Sequence, residues 1–205
     1  MHHFEFKDLK DLSKIYRLNL INSVTGYKSA NLIGTQNLNG VKNLAIFSSV
    51  IHLGSNPALI GFILRPTTIP RHTYSNLKAT GVFTLNTVTK DYIKDAHHTS
   101  AKYSEEISEF DYTNFIVEHK NNWNAPYVKG SPIQIGCSYE NEYYIKENNT
   151  LLIVGSIKEL YISESLLMDD GWVQLDKENI ITINGLDGYA VPKLLNRFPY
   201  AKPKS

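Results

Sequence analysis

Apolar positions in the first twenty-five residues recur at roughly helical spacing. Leu9, Leu12, Ile15, Tyr16, Leu18 and Leu20 predict a helix over Asp8–Ile21 that covers one end of a barrel, with Gly26 breaking the pattern. The period then shortens. Ser29–Thr35 and Asn43–Ser49 read as two strands of one hairpin, joined through Leu38-Asn39-Gly40-Val41, where Asn-Gly suits a type I′ turn. In the second strand Leu44, Ile46 and Ser48 face one way, and Ala45, Phe47 and Ser49 the other. Val50–Pro57 holds His52, Gly54, Ser55 and Pro57 and reads as a loop. Ala58–Leu64 is short and uniformly apolar, the mark of a buried central strand, and Pro66 ends it. Ile69–Ala79 is predicted as a helix, with Pro70 in its first turn, Thr68 as cap and Gly81 as stop. Val82–Asn86 is another strand.

The second half is less regular. Tyr92–Lys102 and Ser104–Phe110 suggest a helical excursion carrying His97, His98, Glu105, Glu106 and Glu109. Thr113–Pro126 is polar and receives no element, and Asn121–Asn124 reads as an exposed loop. Ile133–Tyr144 alternates, with Ile133, Ile135, Cys137 and Tyr139 on one side. It turns at Asn148-Asn149 and returns as Leu151–Ile162, a second hairpin. Trp172–Leu175 and Ile180–Ile183 are short pieces, and Ala190–Ser205 is an arm. With no internal repeat and no low-complexity linker, the expectation is one domain over residues 1–205, mainly β, with six or so strands closed as a barrel and helices inserted.

Composition narrows the function classes. A chain of 205 residues can bury a sizeable core. A net charge of +1 argues against a nucleic-acid binder led by bulk electrostatics, while leaving room for a local basic pocket. Thirteen tyrosines and eight phenylalanines favour a sheet-rich core. The lone Cys137 cannot close an intrachain disulfide, which points to a reducing compartment. No apolar run reaches the roughly 20 residues of a membrane span, and the first residues lack the order of a secretory signal. A cytoplasmic protein is the expectation.

The chemistry concentrates in Asn43–Asn86. The helix start at Pro70–Asn76 joins unpaired backbone N–H groups to Arg71, His72, Thr73 and Asn76, and Arg65 ends the preceding strand. Such an end attracts anions, and the planar fork of an arginine suits phosphate. An ordinary capped helix with a solvated basic edge is the competing account. Ser48 and Ser49 place two hydroxyls at a strand end, where they can donate to a ligand or simply terminate the strand. The adjacent His97 and His98 point about 100° apart on a helix, so no metal site is read there. Cys137 sits in an apolar strand without a basic neighbour and reads as core. Gly-x-Gly-x-x-Gly, Walker and Gly-x-Ser-x-Gly runs are missing, which removes support for a Rossmann unit or a common hydrolase. The stretch reads as a pocket for a phosphorylated aromatic ligand.

In Asn43-Leu44-Ala45-Ile46-Phe47-Ser48-Ser49, Asn56-Pro57, Arg65, Arg71–Asn76 and Gly81–Asn86, continued by Ser108-Glu109-Phe110, Ala125-Pro126 and Val154–Ile157, the chain resembles the flavin reductase-like family, split barrels that bind flavin mononucleotide (FMN) and include flavoredoxin. The resemblance spans about Ser29 to Ile162. The family pattern often has Lys-Asp-Thr where this chain has Arg71-His72-Thr73. The resemblance implies a Greek-key split barrel and a homodimer with the flavin near the subunit interface. It implies that Phe47, Ser48 and Ser49 line the isoalloxazine and that Arg65, Arg71, His72, Thr73 and Asn76 surround the phosphate. The implied activity is an oxidoreductase that passes hydride from NADH or NADPH to tightly bound FMN and on to a small molecule or a partner redox protein. No acid–base side chain is needed for that step. A flavoredoxin-like electron carrier and a non-catalytic ligand-binding module are the alternatives.

Overall fold

The computed structural model describes residues 1–203. The predicted first helix is two: α1 (Phe6–Asp11) and α2 (Lys14–Ser23). Leu12 is extended, and Ser13 caps α2 by accepting from the Tyr16 amide at 3.4 Å. Arg17 then donates to the carbonyls of Leu9, Lys10 and Leu12 at the end of α1, which satisfies groups that the break leaves without partners. Neither helix has a buried residue, and Ile15, Tyr16 and Ile21 are exposed. The expectation of a helix sealing the barrel is therefore wrong. Apolar spacing alone does not say which surface, if any, receives the stripe.

β1 (Lys28–Ser29) is followed by β2 (Asn31–Gln36) and β3 (Lys42–Phe47), which pair antiparallel from Asn31↔Phe47 to Gln36↔Lys42. Their connection is not the two-residue type I′ turn. Only Gly40 takes a positive φ, and the Asn37 side chain accepts from the amides of Asn39 and Val41. An asparagine that organises its own turn in this way outcompetes the Asn-Gly pair two residues on.

The segment expected as a loop is β4 (Ile51–Ser55), paired with β5 (Ala58–Leu64). Pro57 lies in the connection rather than in a strand, so its missing N–H breaks no rung. α3 is His72–Thr80, with Arg71 at the N-cap position and Gly81 in the left-handed C-cap conformation. The stop matches expectation. Thr68 does not cap the helix, and Pro70 lies outside it. β6 is Val82–Thr87.

The helical excursion shrinks to α4 (Ile93–His98), preceded by a 3-10 turn at Lys90–Tyr92, and a second 3-10 turn at Glu109–Tyr112. The unassigned stretch holds β7 (Val117–Glu118), which pairs with β8 (Tyr127–Val128). The long hairpin β9 (Ile133–Ile145) and β10 (Thr150–Ile162) matches expectation, and β11 (Thr182–Asn184) pairs with β12 (Gly188–Ala190) and β1. No helix of the described residues is long and apolar enough to cross a membrane.

The main sheet has seven strands in the order β3-β2-β6-β9-β10-β5-β4, one more than the sequence suggested. Its end strands, β3 and β4, are joined by only Ser48-Ser49-Val50. One chain run thus leaves its β2 partner, turns a corner and joins β5. That rolls the sheet into a split barrel, open along the side where β3 and β5 diverge. Inside lie Ile33, Phe62, Phe83, Leu85, Cys137 and Ile153, roofed by Leu77 of α3. Phe47, Phe62 and Phe83 meet edge to face at centroid distances of 5.2 and 5.6 Å. A second layer covers the outer face, where Leu32, Leu44 and Val88 pack against Ala96, Phe110, Phe115, Val128 and Ile181.

Candidate functional site

The split in the barrel is built by two ties at opposite ends of β3. At the far end, Ser49 Oγ donates to the carbonyl of Ile63 and accepts from its amide, both at 3.1 Å. Backbone pairing of β4 with β5 stops at Ile51↔Gly61, so this hydroxyl supplies the next rung in place of a main-chain pair. At the near end, Asn43 Nδ2 donates to Thr73 Oγ1 at 3.1 Å and to Thr35 Oγ1 at 3.4 Å, and Asn76 Nδ2 donates to the same Thr35 at 3.2 Å. This buried amide–hydroxyl cluster pins the first turn of α3 onto β2 and β3. Residues 65–71 form a strap from the end of β5, between the tied positions Ile63 and Thr73, to the N-cap of α3, and β3, an end strand of the sheet, keeps one edge unpaired.

That edge is partly filled. The Leu44 amide points off the sheet to Glu109 Oε2 at 2.8 Å. Glu109 is only 4% exposed, and burial raises its pKa above the ordinary carboxylate value, opposed by the Leu44 N–H and by the charge of His72. In an antiparallel ladder alternate residues point their N–H groups the same way. The register therefore turns the amide of Ile46, and in the next step of the same alternation that of Ser48, to the same open edge.

The expected site residues divide into two groups. Phe47 packs its ring into the barrel against Phe62. The hydroxyl of Ser49 is engaged with Ile63, and Thr73 and Asn76 are buried in the helix-pinning cluster. These four build the floor and walls. Arg65 and Arg71 stand at the two ends of the strap, Arg65 exposed and Arg71 half-buried, and Ser48 is at the corner. Arg71 Nε is buried without a hydrogen-bond partner among the described residues. An orphaned guanidinium donor at the N-cap of a nine-residue helix sits where anionic oxygen is best accommodated. His72 lines a cleft with Asn43, Ser75, Asn76 and Glu106, and its charge is felt at Glu109 on the β3 edge.

The other singled-out groups lie away from the split. His97 Nδ1 meets the Tyr189 hydroxyl at 3.0 Å, and His98 Nε2 meets that of Tyr103 at 2.6 Å. Burial pushes the Cys137 thiol up to about 12, in keeping with a core role. Trp123 is anchored rather than loose, its indole donating to the Phe83 carbonyl at 3.4 Å. Two contributors were named in the sequence only as motif positions, without a role in the site. Asn43 is a polar residue buried on an edge strand, and Glu109 is a carboxylate flanked by Ile107 and Phe110. The signal available in both cases was a polar side chain directly before an apolar one, Leu44 after Asn43 and Phe110 after Glu109.

A family model described as "Flavin reductase like domain" matches residues 27–174. Solved structures align over most of the chain. A split-barrel protein of Shewanella frigidimarina NCIMB 400, assigned as a flavin reductase, shares 39% identity at a TM-score of 0.94, covering 98% of this chain and 100% of its own. Component B of nitrilotriacetate monooxygenase from Bacillus cereus has 18% identity and a TM-score of 0.82, with 98% of each chain covered. An FMN-binding protein of Thermus thermophilus, solved with 1-cyclohex-2-enone, has 16% identity and a TM-score of 0.70, covering 85% of this chain and 91% of its own. No curated protein matches the chain.

Proposed function

The chain belongs to the flavin reductase-like family, and from that premise we propose that it is an FMN-dependent oxidoreductase that takes hydride from NADH or NADPH. The observation that carries the proposal is the buried, partnerless Nε of Arg71 beside the start of α3. A terminal phosphate fits that donor, because a guanidinium and free helix N–H groups together bind a dianion. A bound flavin supplies the redox step, accepting two electrons and a proton as hydride from the nicotinamide and passing the electrons to an acceptor.

The protein's part is placement. Arg71 and the first amides of α3 hold the phosphoryl end, with Arg65 closing the other end of the strap. The edge amides of Ile46 and Ser48 would donate to the polar rim of a bound flavin and so would stabilise negative charge there. The Phe47–Phe62 pair gives an apolar floor that excludes water. Thr73, Asn76 and Ser49 act one layer back, by fixing the walls.

The same reading makes the working molecule a homodimer. Ile51 and Leu53 are 49% and 40% exposed on β4, an end strand that begins two residues beyond Ser49. An uncovered apolar edge of this kind invites pairing with another chain. A second copy seated there would bring the interface close to the flavin. Light scattering on the purified protein gives the mass directly, and a monomer at micromolar concentration refutes this part.

An absorbance spectrum is the direct test of function. The protein should be yellow as purified or after reconstitution with FMN, and it should bleach anaerobically on addition of NADH or NADPH. A flavin-loaded protein that neither nicotinamide bleaches overturns the reductase reading. Arg71→Ala removes a charge-assisted bond of about 1.5–3 kcal/mol, so FMN affinity should fall about 10- to 150-fold. An unchanged affinity removes Arg71 from the site.

A further inference from the structure

A buried acid lies on the open edge of β3 and takes no part in the placement described above. Glu109, 4% exposed, accepts from the Leu44 amide through Oε2 at 2.8 Å. Its backbone is fixed on both sides. It opens the 3-10 turn Glu109–Tyr112, where the Ser108 hydroxyl accepts from the Phe110 amide at 3.3 Å, and its carbonyl accepts from the Thr113 hydroxyl at 2.9 Å. Phe110 is buried with Leu44 in the outer layer. We propose that Glu109 is a redox-linked proton site: its carboxyl takes a proton from solvent when a ligand on the neighbouring Ile46 amide gains negative charge, and returns it when that charge leaves. The ligand's place on that amide rests on the flavin reading above.

Three features of the site lead there. The first is distance. Leu44 and Ile46 turn their amides to the same edge, and two residues at about 3.4 Å each separate those amides by about 7 Å. The second is the lack of a counter-charge. Glu109 makes no ion pair among the described residues. The neighbouring elements contribute Lys42 from β3, His72 from α3, Asp95 from α4, and Glu105, Glu106 and Asp111 from its own segment. Of these, His72 is the one whose charge is felt at Glu109. The third is burial. It raises the pKa of Glu109 above the ordinary carboxylate value, against the Leu44 amide, the acid's own amide and His72. A carboxyl already pushed toward its neutral form needs only a modest further push from a like charge to take up a proton.

The proton balance is simple. Oε2 keeps the Leu44 amide, which leaves Oε1 to carry the added proton; solvent supplies that proton, and the electrons remain on the ligand. Two like charges about 7 Å apart at the effective dielectric of a protein bias an equilibrium about ten- to fiftyfold. An ionised Glu109 disfavours the reduced ligand by that ratio, and a protonated one does not oppose it. The sign follows from linkage. Reduction raises the pKa of Glu109, and between its values in the oxidised and reduced protein one extra proton is taken up.

The test is the midpoint potential of the FMN-loaded protein between about pH 4 and about pH 8, measured by spectroelectrochemistry for wild type, Glu109→Gln and His72→Gln. Glu109→Gln still accepts from Leu44 but cannot ionise. Its potential should match wild type at the acid end and lie above it at the alkaline end, by about ten- to fiftyfold in the reduction equilibrium, which is about 30–50 mV for two electrons. His72→Gln should keep the wild-type bend and move it to higher pH, because it removes a cation that favours the ionised acid. A merely structural Glu109 would shift the potential equally at every pH. In the wild-type protein alone, the reduced-minus-oxidised infrared difference spectrum should gain a carboxylic-acid C=O band and lose carboxylate bands. A gap between wild type and Glu109→Gln that does not change with pH, or a spectrum without that band, overturns the proposal and leaves the flavin reading standing. A protein that takes up no FMN removes the flavin reading and this proposal with it.

Discussion

Ser49→Ala separates a wall residue from a ligand contact. The Ser49 hydroxyl makes two hydrogen bonds of 3.1 Å to the backbone of Ile63, one as donor and one as acceptor. Removing it strips a rung from the corner where β3 becomes β4, and it leaves one amide and one carbonyl to find water. Each bond is worth about 0.5–1.5 kcal/mol net. Ser49 is half-buried, so solvent can replace part of the loss. A destabilisation of about 1–2 kcal/mol follows, equivalent to about 2–8 °C in Tm for a chain of this size. The assay is thermal unfolding of the flavin-free protein at fixed concentration, because a bound flavin or a dimer would add its own mass-action term. Ser48→Ala is the control. Its residue precedes the rung and no backbone group among the described residues depends on its hydroxyl, so stability should stay within about 0.5 kcal/mol of wild type, and FMN affinity should hold because the Ser48 amide is kept. A Ser49→Ala protein with wild-type Tm and reduced flavin affinity refutes the assignment, since its hydroxyl would then serve the ligand and not Ile63.

Three further outcomes follow from the packing and charge. Gly34→Ala places a Cβ 2.2 Å from the Pro126 carbonyl and 2.6 Å from Thr84 Oγ1. The backbone of Pro126 cannot swing away as a flexible side chain would, so a loss of about 1–3 kcal/mol or more is expected in urea unfolding. Thr73→Val leaves the buried Asn43 amide without its nearer acceptor, which costs about 1–3 kcal/mol; both Tm and flavin affinity should drop, in contrast to Arg71→Ala, which should lower affinity alone. Glu109 has a folded-state pKa raised above its ordinary 4.5 by burial. The folded state therefore holds the extra proton in the window above 4.5, and stability declines as pH rises through that window and is flat beyond it. Glu109→Gln still accepts from Leu44 but never ionises, so the decline should vanish from urea midpoints measured between about pH 4 and about pH 8. A decline that persists in the variant assigns it to another group.

The strands were legible where one face was buried and the other was not. β3, β5, β6, β9 and β10 carry alternating or continuous apolar runs, and a one-residue slip in any of them would turn its core face to solvent. β4 was missed because Gly54, Ser55 and Pro57 outweighed the short alternation of Ile51 and Leu53 on a mostly exposed end strand. The N-terminal helix pair was misjudged for the opposite reason: its stripe is present but meets no core. The candidate site was legible as a set of residues and not as a division of labour. Sequence shows that Arg71, His72, Thr73 and Asn76 share one helix start. It does not show that Asn43, thirty positions before Thr73, comes from β3 to meet both Thr73 and Thr35. That pairing depends on the sheet rolling at Ser48–Val50, a long-range event with no local signature.

The rolled sheet also explains why a ligand site should form at this edge. Rolling brings β3 beside β5 without pairing them, because β5 is already bonded to β10 and β4. A strand edge left in this position presents amides that must find acceptors, and a buried amide without one costs about 1–3 kcal/mol. The chain answers this demand at one point with the Glu109 carboxylate on Leu44. An acidic group there is expensive to bury, and repeating it at Ile46 and Ser48 would place several carboxylates in one low-dielectric slot, where they could not all ionise. An aromatic ligand with carbonyl oxygens on its rim would satisfy the remaining amides without that repulsion, and a phosphate on its tail would satisfy Arg71. The split is thus a consequence of barrel closure, and the chemistry that suits it is set by which of its donors the protein's own side chains leave open.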